Sequence, residues 1–70
     1  MTVIVRYWRG TTQMVGKART YRGAMRIADL NQNAWPPRFY DAKGRQLHDT
    51  GYGLAYDEPD AQGRIVVVMW

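Results

Sequence analysis

Only one stretch of this chain reads as a helix, and two adjacent prolines stop it from continuing. Thr20 is a candidate N-cap, and residues 21–31 carry an apolar stripe of Tyr21, Ala24, Met25 and Ala28 at helical spacing, with Ile27 at its edge. Arg22, Arg26 and Asp29 fall on the opposite, solvent side. Gly23 costs about 1 kcal/mol relative to alanine in a helix interior, so the helix is expected to hold only when docked on a sheet. Asn31, Gln32 and Asn33 end it, and Pro36 and Pro37 block its resumption. The rest of the chain must then find its order in strands and turns.

Residues 2–9 alternate with period two: Val3, Val5 and Tyr7 share one face, and Ile4, Arg6 and Trp8 share the other. A turn at Gly10, Thr11 and Thr12 leads into a second strand over 13–19. Residues 38–41 and 45–48 flank Ala42, Lys43 and Gly44 as a hairpin, with glycine free to take positive φ. Residues 51–56 read as a further strand, in which Gly51 and Gly53 permit a bulge or close packing. A polar turn over 57–63 precedes the most apolar strand, 64–70 (Arg-Ile-Val-Val-Val-Met-Trp). Being apolar on both faces, that strand is expected at the centre of the sheet. No internal repeat and no low-complexity linker is expected.

The fold class that follows is α+β with the order ββαβββ, one helix packed on a curved antiparallel sheet of about five strands. Seventy residues make a single domain, 1–70. A chain this short buries a modest core, and with no cysteine it has neither disulfides nor a thiolate metal site to staple it. Three Trp, five Tyr and one Phe supply large buried areas instead. One helix cannot cover both faces of such a sheet. The outer face therefore carries exposed aromatics, with Trp8 and Trp70 as candidates, or a partner or second copy covers it. A monomer and a homodimer both remain open. The N-terminal apolar run is short and interrupted by Arg6, unlike a signal peptide, and no stretch approaches the roughly 20 apolar residues of a membrane span. A soluble protein of the cytoplasm, without a membrane partner, is expected.

Charge is split along the chain. Residues 1–38 hold seven basic groups and one acid, and residues 39–70 hold three basic groups and five acids. The first part is thus +6 and the second −2, which gives the net +4, and eight of the ten basic groups are arginine. Arginine is the weakly hydrated planar cation suited to phosphate and interface pairing. Lys17, Arg19, Arg22 and Arg26, with Arg38, are the candidate binding residues. Lys17 and Arg19 lie on one strand face, and Arg22 and Arg26 stand one helical turn apart. If the second strand leads directly into the helix, the first four can form one ridge that tracks phosphates in a salt-dependent way. The alternative is solubilising surface charge, with Asp29 as a partner. Trp8, Trp35 and Tyr40 can stack bases, or they can be core.

No catalytic constellation is expected. Asp57, Glu58 and Asp60 flank a proline turn, where charged residues are normally just solvated. His48 next to Asp49 has no nucleophile implied by spacing, and no metal-ligand spacing, cofactor motif or GxGxxG pattern occurs. Neither a helix-turn-helix nor an RNP-like string is present.

The helix string Ala24-Met25-Arg26-Ile27-Ala28, followed after a hairpin by Leu54-Ala55-Tyr56 and an acidic turn ending in Gly63-Arg64, resembles the small phage-encoded anti-CRISPR proteins that act on type I (Cascade) surveillance complexes. The resemblance implies one helix docked on a curved antiparallel sheet. It also implies an inhibitor that binds the Cas7 backbone or the adjacent large subunit in the host cell cytoplasm and blocks target DNA binding. Some members tether duplex DNA through basic helix residues, a role the resemblance carries to Arg26. Trp8, Trp35 and Trp70 are the candidate aromatic contacts of such an interface. The alternative is an autonomous basic DNA- or RNA-binding module.

Overall fold

In the computed structural model, which describes all 70 residues, six strands and one helix follow in the order β1 (Val3–Arg9), β2 (Thr12–Ala18), α1 (Tyr21–Ala28), β3 (Arg38–Asp41), β4 (Gln46–Asp49), β5 (Leu54–Tyr56) and β6 (Val67–Met69). The class is α+β as expected, with one strand more: every extended segment forms a strand of its own, so the order is ββαββββ. The sheet is open and wholly antiparallel, ordered β2-β1-β3-β4-β5-β6.

The period-two pattern of β1 decides which side is core. Val3 and Val5 are fully buried, and their cross-strand partners Ala18, Gly16, Asp41 and Phe39 share that face. The helix lies across it, over β1 and β2. Ala24 is its buried centre, and Tyr21, Met25, Ile27 and Ala28 pack around it on the core, so the stripe read from spacing is the buried stripe. Thr20 caps the helix by accepting from the Gly23 N–H at 3.0 Å. Gly16 lets the helix settle, since a Cβ there would stand 2.9 Å from Ile27 Cγ2. The helix ends at Ala28, three residues earlier than expected. Leu30 and Asn31 donate to Ile27 and Ala28 in tightened turns, and the Asn31 side chain is taken up by β1.

The curl of the sheet extends the same core to strands the helix does not cover. Leu47, Leu54 and Met69 join Val3 and Val5 in one cluster, and the Tyr21 hydroxyl at the helix N-terminus donates to Asp49 Oδ1 on β4 at 2.6 Å.

The apolar C-terminal strand is not central. Residues 67–69 form the outermost strand, bonded only to β5, and Ile65 and Trp70 are 67 % and 80 % exposed. Of that segment, Met69 alone is buried in the core, with Val68 partly buried against it. The pairing with β5 is short, with a register shift between Leu54 and Ala55, and next to it the β6 backbone comes so close to Gly53 that a Cβ there would overlap the Met69 carbonyl oxygen. Residues 51–53 are a turn rather than strand, tied by Asp49 and Thr50 side chains accepting from the Gly51 and Tyr52 N–H groups.

A short repeat, unexpected from the sequence, is plain in the turns. Residues 41–45 (Asp-Ala-Lys-Gly-Arg) and 60–64 (Asp-Ala-Gln-Gly-Arg) form the same loop, each with its aspartate accepting backbone N–H groups two and four residues on and its glycine at positive φ. No helix is long and apolar enough to cross a membrane.

Candidate functional site

The helix leaves the second face of the sheet uncovered, and the strand register gathers a distinctive set of side chains there. Ile4, Arg6 and Trp8 project from β1; Lys17, Val15 and Gln13 stand opposite them on β2, and Tyr40 and Arg38 stand opposite Ile4 and Arg6 on β3. Gln46 and His48 continue the face on β4. Three cations therefore share one surface with Trp8, Tyr40 and the exposed Val15. No carboxylate answers them. The ion pairs of the molecule are His48 with Asp57 and Arg64 with Asp60, so Arg6, Lys17 and Arg38 are without acidic partners.

Arg6 is held flat on this face. Its Nη2 donates to the Tyr40 hydroxyl at 2.6 Å, and its guanidinium carbon lies 5.2 Å from the Tyr40 ring centroid. Trp8 is fixed by a second device. Beyond the pairing of Arg6 with Arg38, strand β3 no longer flanks β1, and loop 31–33 takes its place: Asn31 Oδ1 accepts from the Trp8 N–H at 2.8 Å, and the Gln32 N–H donates to the Trp8 carbonyl at 2.7 Å. Asn33 Nδ2 donates to the Gly10 carbonyl, and Asn31 Nδ2 donates to the carbonyls of Asn33 and Trp35. The loop sets Trp35 edge-on to Trp8, with ring centroids 4.8 Å apart and planes at 65°. Trp35 remains half exposed. The Asn-Gln-Asn run is thus a bolt as well as a helix stop, and the amide side chains of Asn31 and Asn33 were the sequence signal for it.

The expected residues divide between separate places. Lys17 and Arg38 lie on the helix-free face. Arg22 and Arg26 are exposed on the outside of the helix, across the sheet from Lys17. Arg19 sits in the bend between, and shares a shallow depression with Met1, Thr20, Met69 and Trp70. The single ridge of Lys17, Arg19, Arg22 and Arg26 is therefore not formed. In a strand whose side chains alternate, burying Ala18 against the helix sends Lys17 to the far side. Of the three tryptophans, Trp8 and Trp35 meet, and Trp70 stands apart beside the outermost strand. Arg6 and Tyr40 complete the cluster; Arg6 was legible as sharing a strand face with Trp8.

The groups with displaced titration lie elsewhere and serve structure. Donation to Asp49, with burial and the Asp49 charge, pushes the Tyr21 hydroxyl up, and donation to Asp41 does the same to Tyr56. No group of three or more His, Cys, Asp or Glu side chains gathers. His48 Nδ1 stands 2.9 Å from Asp57 Oδ1 in an exposed pair with no nucleophile hydrogen-bonded to it.

Comparison with protein-family models, curated proteins and solved structures found no match, so the function of this chain is argued from its geometry.

Proposed function

We propose that this chain is a binding module whose helix-free sheet face takes single-stranded nucleic acid. One observation carries the reading: Arg6, Lys17 and Arg38, free of carboxylates, are interleaved on one face with Trp8, Trp35 and Tyr40. Cations that track a backbone beside aromatic rings that take unpaired bases are the two parts a single-strand binder needs. A duplex would meet the cations but leave the rings without a base to stack. The bolt of loop 31–33 holds the tryptophan pair in place before any ligand arrives, which limits the ordering cost of binding.

The test is a titration of tryptophan fluorescence with oligothymidylate at several salt concentrations. Quenching is expected, with log K falling linearly in log salt. Trp8→Ala, checked for folding by circular dichroism, weakens binding about tenfold or more, because one stacked base contributes about 1–3 kcal/mol. No binding at low salt overturns the reading.

A second reading, an inhibitor that binds a type I surveillance complex, is favoured by one observation: a single helix docked on a curved antiparallel sheet is the architecture that the resemblance of the helix string implies. Its test is co-migration with the purified complex on size exclusion, followed by target DNA binding. Arg22→Glu with Arg26→Glu then asks whether the helix carries the contact. No co-migration removes this reading and leaves the first untouched.

A further inference from the structure

Arg6 and Arg38 stand directly opposite each other on adjacent strands. Like charges in that position destabilise a sheet, and no acid offsets them. The cost is compounded at Arg6, whose Nε is buried without a hydrogen-bond partner. Neither choice helps the free protein: a threonine or valine at position 38 would fit a strand start better. Local arrangements that work against stability, concentrated at one point of an otherwise consistent fold, are where function is to be sought.

We propose that Arg6 and Arg38 form a seat for one phosphate group, which for its ligand rests on the nucleic-acid reading above. An anion between the two guanidinium groups turns their repulsion into attraction, and guanidinium forks match phosphate oxygens in pairs. The Tyr40 hydroxyl, by accepting from Arg6 Nη2, fixes the orientation of one fork and leaves its other terminal nitrogen free for the ligand. Trp8 follows Arg6 by two residues on the same face, about 7 Å along the strand. That is within the span from the phosphate of a nucleotide to its base. The face thus reads one nucleotide in two parts, its phosphate between the arginines and its base against the Trp8 and Trp35 rings. The helix arginines, on the other side of the sheet, take no part.

The experiment compares wild type, Arg38→Thr, Arg38→Lys and the helix double variant Arg22→Gln with Arg26→Gln. Thermal melts are taken alone and with inorganic pyrophosphate, and affinity for oligothymidylate is measured across a salt series. Without ligand, Arg38→Thr is expected to melt above wild type, since it relieves the repulsion. Pyrophosphate is expected to raise the melting temperature of wild type and of the helix variant but not of Arg38→Thr, with Arg38→Lys between. Oligothymidylate binding by Arg38→Thr falls about tenfold, and its salt slope shrinks by about 0.7, the share of one phosphate on a single strand. If Arg38→Thr melts below wild type, or pyrophosphate still stabilises it as well, the seat is overturned, and oligothymidylate binding by wild type then leaves the broader face reading standing. An Arg38-dependent pyrophosphate effect without oligothymidylate binding keeps the seat, assigns it to a small free phosphate compound, and removes the nucleic-acid reading.

Discussion

Turns 41–45 and 60–64 share four of five residues and one set of backbone bonds, yet they do different work. In each, the aspartate accepts at Oδ1 from N–H groups two and four residues on, at 2.8 to 2.9 Å, while the glycine N–H returns to the aspartate carbonyl. The second carboxylate oxygen separates them. Asp41 is 5 % exposed and its Oδ2 accepts from the Tyr56 hydroxyl at 2.9 Å, while Arg45 lies 3.9 Å over the Tyr56 ring. Asp60 instead turns its Oδ2 to the exposed Arg64 at 3.2 Å. The first turn ties β3 and β4 to β5, whereas the second closes only on itself. A motif that solves a local backbone problem acquires tertiary weight from what its spare oxygen meets.

The largest separation between the two is therefore expected from removing the carboxylates. Asp41→Ala strips three donors of their acceptor in a site that water reaches poorly, and should lower Tm by more than about 10 °C. Asp60→Ala should lower it by less than about 5 °C, its donors being open to solvent. Equal losses in thermal melts would show that Asp41 acts only within its own turn.

Tyr56→Phe isolates the spare oxygen, and it does so through pH. Burial by itself pushes the Asp41 carboxyl up, but the Arg45 N–H, the Tyr56 hydroxyl, the Lys43 N–H and the Arg45 charge outweigh it and hold the group below the usual carboxylate range. A lowered folded value means stability that is present above the unfolded value of about 3.9 and lost as pH falls through the folded value. The Tyr56 hydroxyl is raised, chiefly by donating to Asp41 and then by burial, so its contribution is present below about pH 10 and lost as pH rises through its folded value. Tyr56→Phe is expected to cost about 5 °C at neutral pH, to shrink the acid limb, because the folded Asp41 value rises toward the unfolded one, and to flatten the alkaline limb. An unchanged acid limb in pH-dependent melts would break the link between the two residues.

The turns also mark how far the sequence could be read. The helix stripe, the Thr20 cap and the alternation of β1 are local patterns, and local patterns survive into the structure. Glycine after a short polar run located the 41–45 hairpin correctly. Position in the sheet was not legible, because it depends on which strand meets which. Apolarity over 64–70 argued for a central strand, yet the segment sits outermost, with Met69 its one core residue. The candidate site was legible in the same partial way. Arg6 and Trp8 shared a face by spacing alone, whereas Arg38, Tyr40 and Trp35 reach them only through the pairing of β1 with β3 and the bolt of loop 31–33. The basic ridge failed because strand alternation divides Lys17 from the helix arginines.

A second pair of variants tests the part the turns have in common. Gly44 and Gly63 have φ of 87° and 77°, with open space where a Cβ would go. Alanine therefore meets no clash at either, only the backbone strain of the left-handed region, about 1–2 kcal/mol. Gly44→Ala and Gly63→Ala are expected to cost the same within about 0.5 kcal/mol by denaturant titration. A much larger cost at Gly44 would mean that the tertiary tie through Tyr56 resists any relaxation of the loop.

The smallest effect belongs to Asp60→Asn. The amide oxygen of asparagine can still accept from the Gln62 and Arg64 N–H groups, so the loop keeps its internal bonds. What disappears is the ion pair with Arg64, whose side chain is 72 % exposed, and exposed pairs contribute about 0–1 kcal/mol that salt screens further. The loss should be at most about 0.5 kcal/mol at low ionic strength and should vanish in high salt. The same change at Asp41 keeps the shape and removes a charge that three donors point toward, so its cost should persist in high salt. Salt-insensitive destabilisation by Asp60→Asn would mean that the second turn, like the first, is tied into the fold through a contact of its own.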